Sequence, residues 1–144
     1  IDFAVELVLL TTLCLWWQFV PDWRVVLLPL FILLTLVTAI GTGLWLTALT
    51  VKYRDFRFVV PFLLQIGLFL SPVGFSSTNL PNWRLIYSLN PMVGAIDGFR
   101  WCLLRGEPVL HPANLAISVG MALLLFVSGL WYFRRTERTF ADII

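Results

Sequence analysis

Charge is scarce in this chain, and the scarcity excludes most soluble functions. Charged residues make up 12% of the 144 residues, against about 25% in a soluble domain. There is one lysine, Lys52, in Val51-Lys52-Tyr53-Arg54-Asp55. A nucleotide-binding loop of the Gly-x-x-x-x-Gly-Lys-Ser/Thr type needs its lysine after a glycine-rich turn, so the chain does not bind ATP in that way. The single histidine, His111, precedes Pro112 and reads as the cap of the apolar stretch that follows. There is no His-x-x-x-His pair and no Gly-x-Ser-x-Gly elbow, which sets aside the zinc-protease and serine-hydrolase motifs. The two cysteines, Cys14 and Cys102, belong to no Cys-x-x-Cys or Cys/His pattern. They imply neither a disulfide framework nor a metal site and read as small buried apolar side chains. The net charge of +2 is small and scattered, which argues against a nucleic-acid surface.

What the chain has instead is length without charge. Hydrophobic residues make up 60% of it, and mean hydropathy is +0.91. Val25 to Val51 is 27 residues without a charge, Phe58 to Trp83 is 26, and Pro112 to Phe133 is 22. About 20 apolar residues of helix cross a bilayer core. The pattern implies an all-α integral membrane protein forming a single transmembrane domain over 1–144. Four transmembrane helices are expected at about 3–20, 25–51, 58–75 and 112–133. The sequence begins with Ile1, and Asp2 and Glu6 stand where a secretory leader carries positive charge. The start therefore reads as a position part-way along a longer membrane protein.

Orientation follows from the basic residues. Six of the ten lie in two clusters: Lys52, Arg54 and Arg57, then Arg134, Arg135 and Arg138. Four spans put both clusters on one side, the cytoplasmic one by the positive-inside rule. Trp16, Trp17, Trp23 and Trp83 then fall near the outer interface and Trp131 near the inner one. The expected second span carries Pro29 in its first turns, where a missing hydrogen bond matters least, and Gly41-Thr42-Gly43, which can loosen it or admit a neighbour.

The segment from about 76 to 107 is apolar but interrupted by Pro91, Asp97 and Arg100. A charge at the bilayer centre costs a few kcal/mol, roughly 2.5–3.5 on insertion scales, and a fifth crossing would put the Arg134 cluster outside. A short re-entrant outer helical hairpin before the last span fits better. Its second helix is expected over about Pro91 to Leu104, with Asn90 as N-cap and Pro91 at the first helical position. Asp97 and Arg100 share a face of it. Irregular backbone at that depth needs protein or a water-filled cavity around it, so the hairpin implies a vestibule or pore. Gly94-x-x-x-Gly98 matches a small-residue packing motif. The spans hold one acid, Glu6, near an end, and Gln65 is the deepest strongly polar side chain.

Several of these stretches coincide with a known family. Leu49-Thr50-Val51-Lys52-Tyr53-Arg54-Asp55-Phe56-Arg57-Phe58 continues into Val59-Val60-Pro61-Phe62-Leu63-Leu64-Gln65. Phe69-Leu70-Ser71-Pro72-Val73, Ser88-Leu89-Asn90-Pro91-Met92, Gly98-Phe99-Arg100 and Arg135-Thr136-Glu137-Arg138-Thr139-Phe140-Ala141-Asp142 follow in order. On these the chain resembles the permease subunit of type-2 ABC exporters for polysaccharides, the O-antigen, capsule and teichoic-acid exporters. The resemblance covers essentially the whole chain and implies the C-terminal portion of a six-span permease.

By the same resemblance the protein is a transport subunit and not an enzyme, multi-pass in the bacterial plasma (inner) membrane with a cytoplasmic C-terminus. Its implied partners are a second permease copy in a homodimer, a cytoplasmic ABC ATPase dimer, a lipid-linked polysaccharide and membrane lipid, without nucleic acid. It would carry no cofactor of its own, ATP being bound by the partner subunit. Lys52, Tyr53, Arg54, Asp55 and Arg57 would form the ATPase-side loop, or else an orientation signal of solvated charges. Pro61, Gln65, Ser71 and Pro72 would bend the third span or line the path. Asn90, Pro91, Asp97, Phe99, Arg100 and Trp101 would form the outer gate, the aromatics meeting sugar rings or belonging to an interfacial belt. An exporter of drugs or lipids, a membrane-embedded transferase acting on lipid-linked sugars, and a purely structural subunit are the competing readings.

Overall fold

The computed structural model describes residues 2–16, 22–71, 88–104 and 110–141, and among these it contains helices and no strand. The helices are α1 (Asp2–Trp16), α2 (Leu28–Lys52), α3 (Phe56–Leu70), α4 (Pro91–Leu103) and α5 (Pro112–Ala141). A 3-10 turn, Trp23–Leu27, leads into α2.

The start of α2 is built from local chemistry. The Asp22 carboxylate accepts a hydrogen bond from the Trp23 N–H at 2.8 Å and reaches Arg24 at 3.7 Å. Pro29 lies in the first turn, as its position predicts. Inside the helix Thr35, Thr38, Thr42 and Thr50 each donate to the carbonyl four residues back, at 2.7–2.9 Å. Their hydroxyls therefore add no unsatisfied donor to an apolar setting. At the far end Tyr53 is extended and its N–H closes on Leu49 O at 2.8 Å. Lys52 stands in the last turn, where its charge complements the helix dipole.

α2 and α5 form the main helix pair. The buried residues of α2 are Phe31, Thr38, Gly41 and Ala48, spaced by sevens and threes as one stripe of a helix demands. α5 buries Ser118, Ala122 and Gly129. These are mostly small residues, the composition by which helices in lipid approach closely. At Gly41 a Cβ would stand 2.8 Å from Phe126 N and 2.9 Å from its Cα, and at Gly129 a Cβ would stand 2.7 Å from Gly41 O. The backbones touch there. One turn on, Trp45 Nε1 donates to Ser128 Oγ at 3.0 Å, and its ring stacks on Tyr132 with centroids 4.7 Å apart.

The register of these contacts shows that α2 and α5 run parallel. Leu30 and Phe31 share a groove with Leu115 and Val119, Gly41 meets Leu125 and Phe126, and Trp45 meets Ser128 and Tyr132. Lys52 and the Arg134-Arg135 pair therefore lie at the same end of the bundle. α4 sits at the other end. It packs on α2, on α5 and on the 3-10 turn before α2, so the chain between α2 and α4 returns the length of the pair.

Among the described residues two helical stretches are long and apolar enough to cross a membrane, Trp23–Lys52 and Pro112–Glu137. Only 17% of each apolar window is buried within the chain, unlike the core helix of a soluble protein. The expected span at 25–51 lies inside the first. The last helix outruns the expected 112–133 by eight residues, because nothing in Arg134-Arg135-Thr136-Glu137 breaks a helix and Thr136 bonds back to Tyr132 O at 2.9 Å. Polarity marks where the apolar segment ends, not where the helix does. α1 and α3 have 15 residues each, about 22 Å of helix. Residues 17–20 and 72–75, which the sequence adds to those two spans, lie outside the described residues.

Candidate functional site

The turn between α2 and α3 holds the dense charge cluster. Tyr53, Arg54 and Asp55 make the whole connection, closed by Phe56 N–H to Tyr53 O at 2.9 Å and Phe58 N–H to Asp55 O at 3.1 Å. Lys52, Tyr53, Arg54, Asp55 and Arg57 are all exposed. Lys52 Nζ lies 5.3 Å from the Tyr53 ring centre. The ion pair that adjacency permits between Arg54 and Asp55 does not form, whereas Asp22 and Arg24, two residues apart, do pair at 3.7 Å. The loop thus presents its charges outward from a short three-residue turn.

α3 runs unbroken through Pro61 and stops at Leu70. Ser71 is extended, φ −95° and ψ 134°, the conformation forced on a residue that precedes proline. Pro72 itself lies outside the described residues. Gln65 is exposed, and among the described residues its side chain makes no hydrogen bond.

A groove of about 640 Å³ opens between α2, α3 and the start of α4. Thr42, Trp45 and Leu46 line one wall, Leu64 and Gly67 the other, and Asn90, Pro91 and Met92 one end, with Ser71 beside them. Neither Pro61 nor Gln65 lines it. Sequence reasoning missed the α2 wall. Its signal was available in Thr38, Thr42 and Trp45, residues three and four apart and therefore on one face. A second groove, about 310 Å³, runs between Leu30, Leu34, Val37 and Leu115, Val119, Leu123 and has no polar side chain in its lining.

α4 begins as its sequence predicts. Asn90 is the N-cap, its Oδ1 accepting the Met92 N–H at 3.0 Å, and Pro91 follows at the first helical position. Asn90 Nδ2 lies 3.3 Å from Leu70 O and 3.3 Å from Ser71 Oγ. Two motifs read separately in the sequence are thereby joined.

The Gly94-x-x-x-Gly98 repeat is a packing device on two sides. A Cβ on Gly94 would overlap Ser118 of α5, and one on Gly98 would overlap the Phe31 ring of α2. Ser118 Oγ in turn donates to Ser88 O at 3.0 Å. Phe99 lies against Phe31, ring centres 6.4 Å apart. The Arg24 guanidinium sits 4.9 Å over the Trp101 ring, a cation–π distance. Both aromatics that the sequence offers to a sugar therefore face α2 and the turn before it. Cys102 is fully buried and Cys14 half-buried.

Asp97 borders a polar cleft of about 10 Å³ lined also by Ser88, His111, Asn114 and Ser118, room for about one water. Arg100 stands one turn on from Asp97, half-buried. His111 O accepts the Leu115 N–H at 3.1 Å, so His111 begins α5 as a cap residue. Among the described residues no group of three or more His, Cys, Asp or Glu side chains is placed to hold a metal ion.

Residues 1–104 match the family described as ABC-2 type transporter. The chain is also similar to the O-antigen export system permease protein RfbA of Myxococcus xanthus, 28% identical over 147 residues, a match covering 99% of this chain and 56% of that protein. The chain thus spans about half the length of the curated relative it matches. No solved structure matches it significantly.

Proposed function

The chain belongs to the ABC-2 type transporter family, and on that premise we propose that it is part of the membrane permease of an ATP-driven exporter of lipid-linked polysaccharide. The observation that carries the proposal is the parallel α2–α5 pair with its basic residues at one end. Two parallel spans require the chain between them to return across the bilayer. α3, leaving Asp55 at one end and meeting Asn90 toward the other, is suited to that return. With α1 as a further crossing, this supports four spans in one transmembrane domain over 1–144. Both basic clusters and the C-terminus would then face the cytoplasm, and α4 would be the second helix of an outer re-entrant hairpin.

In this reading Lys52, Tyr53, Arg54, Asp55 and Arg57 meet a separate cytoplasmic ATPase dimer. The exposed charges on a three-residue turn support that role. A short turn passes a displacement to both helices it joins. The protein performs no hydrolysis and has no cofactor of its own. Two permease copies enclose the path, their exposed apolar faces meeting each other or the lipid of a bacterial inner membrane. Pro61, Gln65, Ser71 and Pro72 shape α3 beside that path. Asn90, Pro91, Asp97, Phe99, Arg100 and Trp101 form the outer gate, the last four by holding α4 in position. The relative's printed role in O-antigen export supports a polysaccharide cargo.

The test has two arms. Asp55→Cys and Arg138→Cys in the full-length protein are expected to react with a membrane-impermeant maleimide from the same, cytoplasmic, side. Labelling from opposite sides refutes the topology. In proteoliposomes with the ATPase, lipid-linked polysaccharide is expected to stimulate ATP hydrolysis. Equal stimulation by the lipid carrier alone assigns a lipid exporter instead.

A further inference from the structure

We propose that Asn90 is a latch that ties α3 to the remaining helices, so that α3 moves against a body made of α2, α4 and α5. The orientation of its amide follows from its partners. The Met92 N–H can only donate, so it fixes Oδ1 toward itself at 3.0 Å. The NH₂ group must then point the other way, where Leu70 O and Ser71 Oγ both lie at 3.3 Å. Leu70 O is one of the last carbonyls of α3, which have no partner within their own helix. One side chain thus caps α4 and serves the end of α3. Serine and aspartate cap as well but carry no NH₂ to donate.

Packing identifies the body and the moving part. α4 is seated by Gly94 on Ser118 and by Gly98 on the Phe31 ring, with no room for a Cβ at either contact. α2 and α5 touch through backbone at Gly41 and Gly129. α3 is held differently. The groove of about 640 Å³ separates its second half, from Leu63 on, from α2, and Gly67, on its groove side, has open space where a Cβ would stand. Among the described residues it is tied by the turn at Tyr53–Asp55, by its contacts with α2 and by the two bonds from Asn90. The turn is covalent and acts as a hinge. The Asn90 tie consists of two long hydrogen bonds that water entering the groove can replace.

The inference rests on the permease reading only for its setting, a helix bundle in lipid. Its test uses the full-length protein with its ATPase in lipid nanodiscs. Spin labels are placed at Leu46→Cys and Leu64→Cys, which face each other across the groove, in a Cys14→Ala/Cys102→Ala background diluted with unlabelled protein. Asn90→Asp keeps the cap and loses the donor. It is expected to shift the α2–α3 distance distribution outward by several ångströms. Asn90→Ser, too short to bridge, is expected to do the same, and guards against a protonated aspartate acting as donor. Ser71→Ala is expected to give a smaller shift and to add nothing to Asn90→Asp. A wild-type distribution in both Asn90 variants overturns the latch, as does full additivity with Ser71→Ala. The distances report the seam whatever the cargo. Loss of polysaccharide-stimulated hydrolysis in the wild-type protein would therefore sink the proposed function and leave the latch standing.

Discussion

Alanine at Gly41 and alanine at Gly43 are the same change two residues apart on one helix, and the structure expects opposite results. At Gly41 the new methyl would stand 2.8 Å from Phe126 N, 2.9 Å from Phe126 Cα and 3.0 Å from Leu125 C. All three are backbone atoms of α5 and none can rotate aside. An ordinary contact begins near 3.4 Å, so the helices must separate. Separation also strains the Trp45–Ser128 hydrogen bond and the Trp45–Tyr132 stack one turn away. Overpacking of this kind costs about 1–3 kcal/mol. At Gly43 a methyl meets nothing within 4 Å. Both substitutions gain the same helix propensity, about 0.8–1.0 kcal/mol, which cancels in the comparison. Gly41→Ala should therefore be less stable than Gly43→Ala by about 1–3 kcal/mol. Unfolding of the full-length protein by SDS in mixed micelles, followed by tryptophan fluorescence, measures the difference. Two variants within about 0.5 kcal/mol of each other, the range of an inert surface change, would refute the backbone contact.

Three further outcomes are expected. Trp45→Phe keeps the ring on Tyr132 and removes the N–H donated to Ser128; it should cost about 0.5–1.5 kcal/mol, and Ser128→Ala should add little to it in the same SDS titration. Gly98→Ala should sharply lower the yield of folded protein by size-exclusion, and Phe31→Leu in that background should recover about 1 kcal/mol or more; no recovery would place the clash elsewhere. Arg54→Glu should leave stability unchanged, the residue being exposed, but weaken retention of the proposed ATPase partner on an affinity column by about tenfold, or roughly 1.4 kcal/mol.

Local features of this chain were legible in its sequence because each has a local cause. Asn90-Pro91 starts a helix through one side-chain acceptor and one fixed φ. Ser71 leaves the helix because a proline follows it. Gly94 and Gly98 were readable as a close contact, and Val25 to Val51 as a span. The pairing of α2 with α5 was not legible. In lipid, residues facing a neighbour and residues facing the hydrocarbon are both apolar, so polarity does not mark the buried face. Thr38, Gly41 and Ala48 carry the signal only through small size and spacing, and nothing in that pattern names α5 or gives its direction. The Asn90 contact with Leu70 and Ser71 spans about twenty residues of sequence and depends on where α3 happens to end. The path and gate roles proposed for individual side chains rest on how separate helices come together in space, which no single stretch of sequence encodes.

The threonines of α2 decide what kind of guest its groove-facing wall can greet. Thr38 spends its only hydroxyl proton on Leu34 O, and Thr42 shares its own between Thr38 O and Ala39 O. What remains on each oxygen is lone-pair electron density. These two oxygens can accept a hydrogen bond and have no proton left to donate. An O–H group that reaches the half-buried Thr42 oxygen can donate to it, whereas a carboxylate or phosphate meets no hydroxyl donor on that wall.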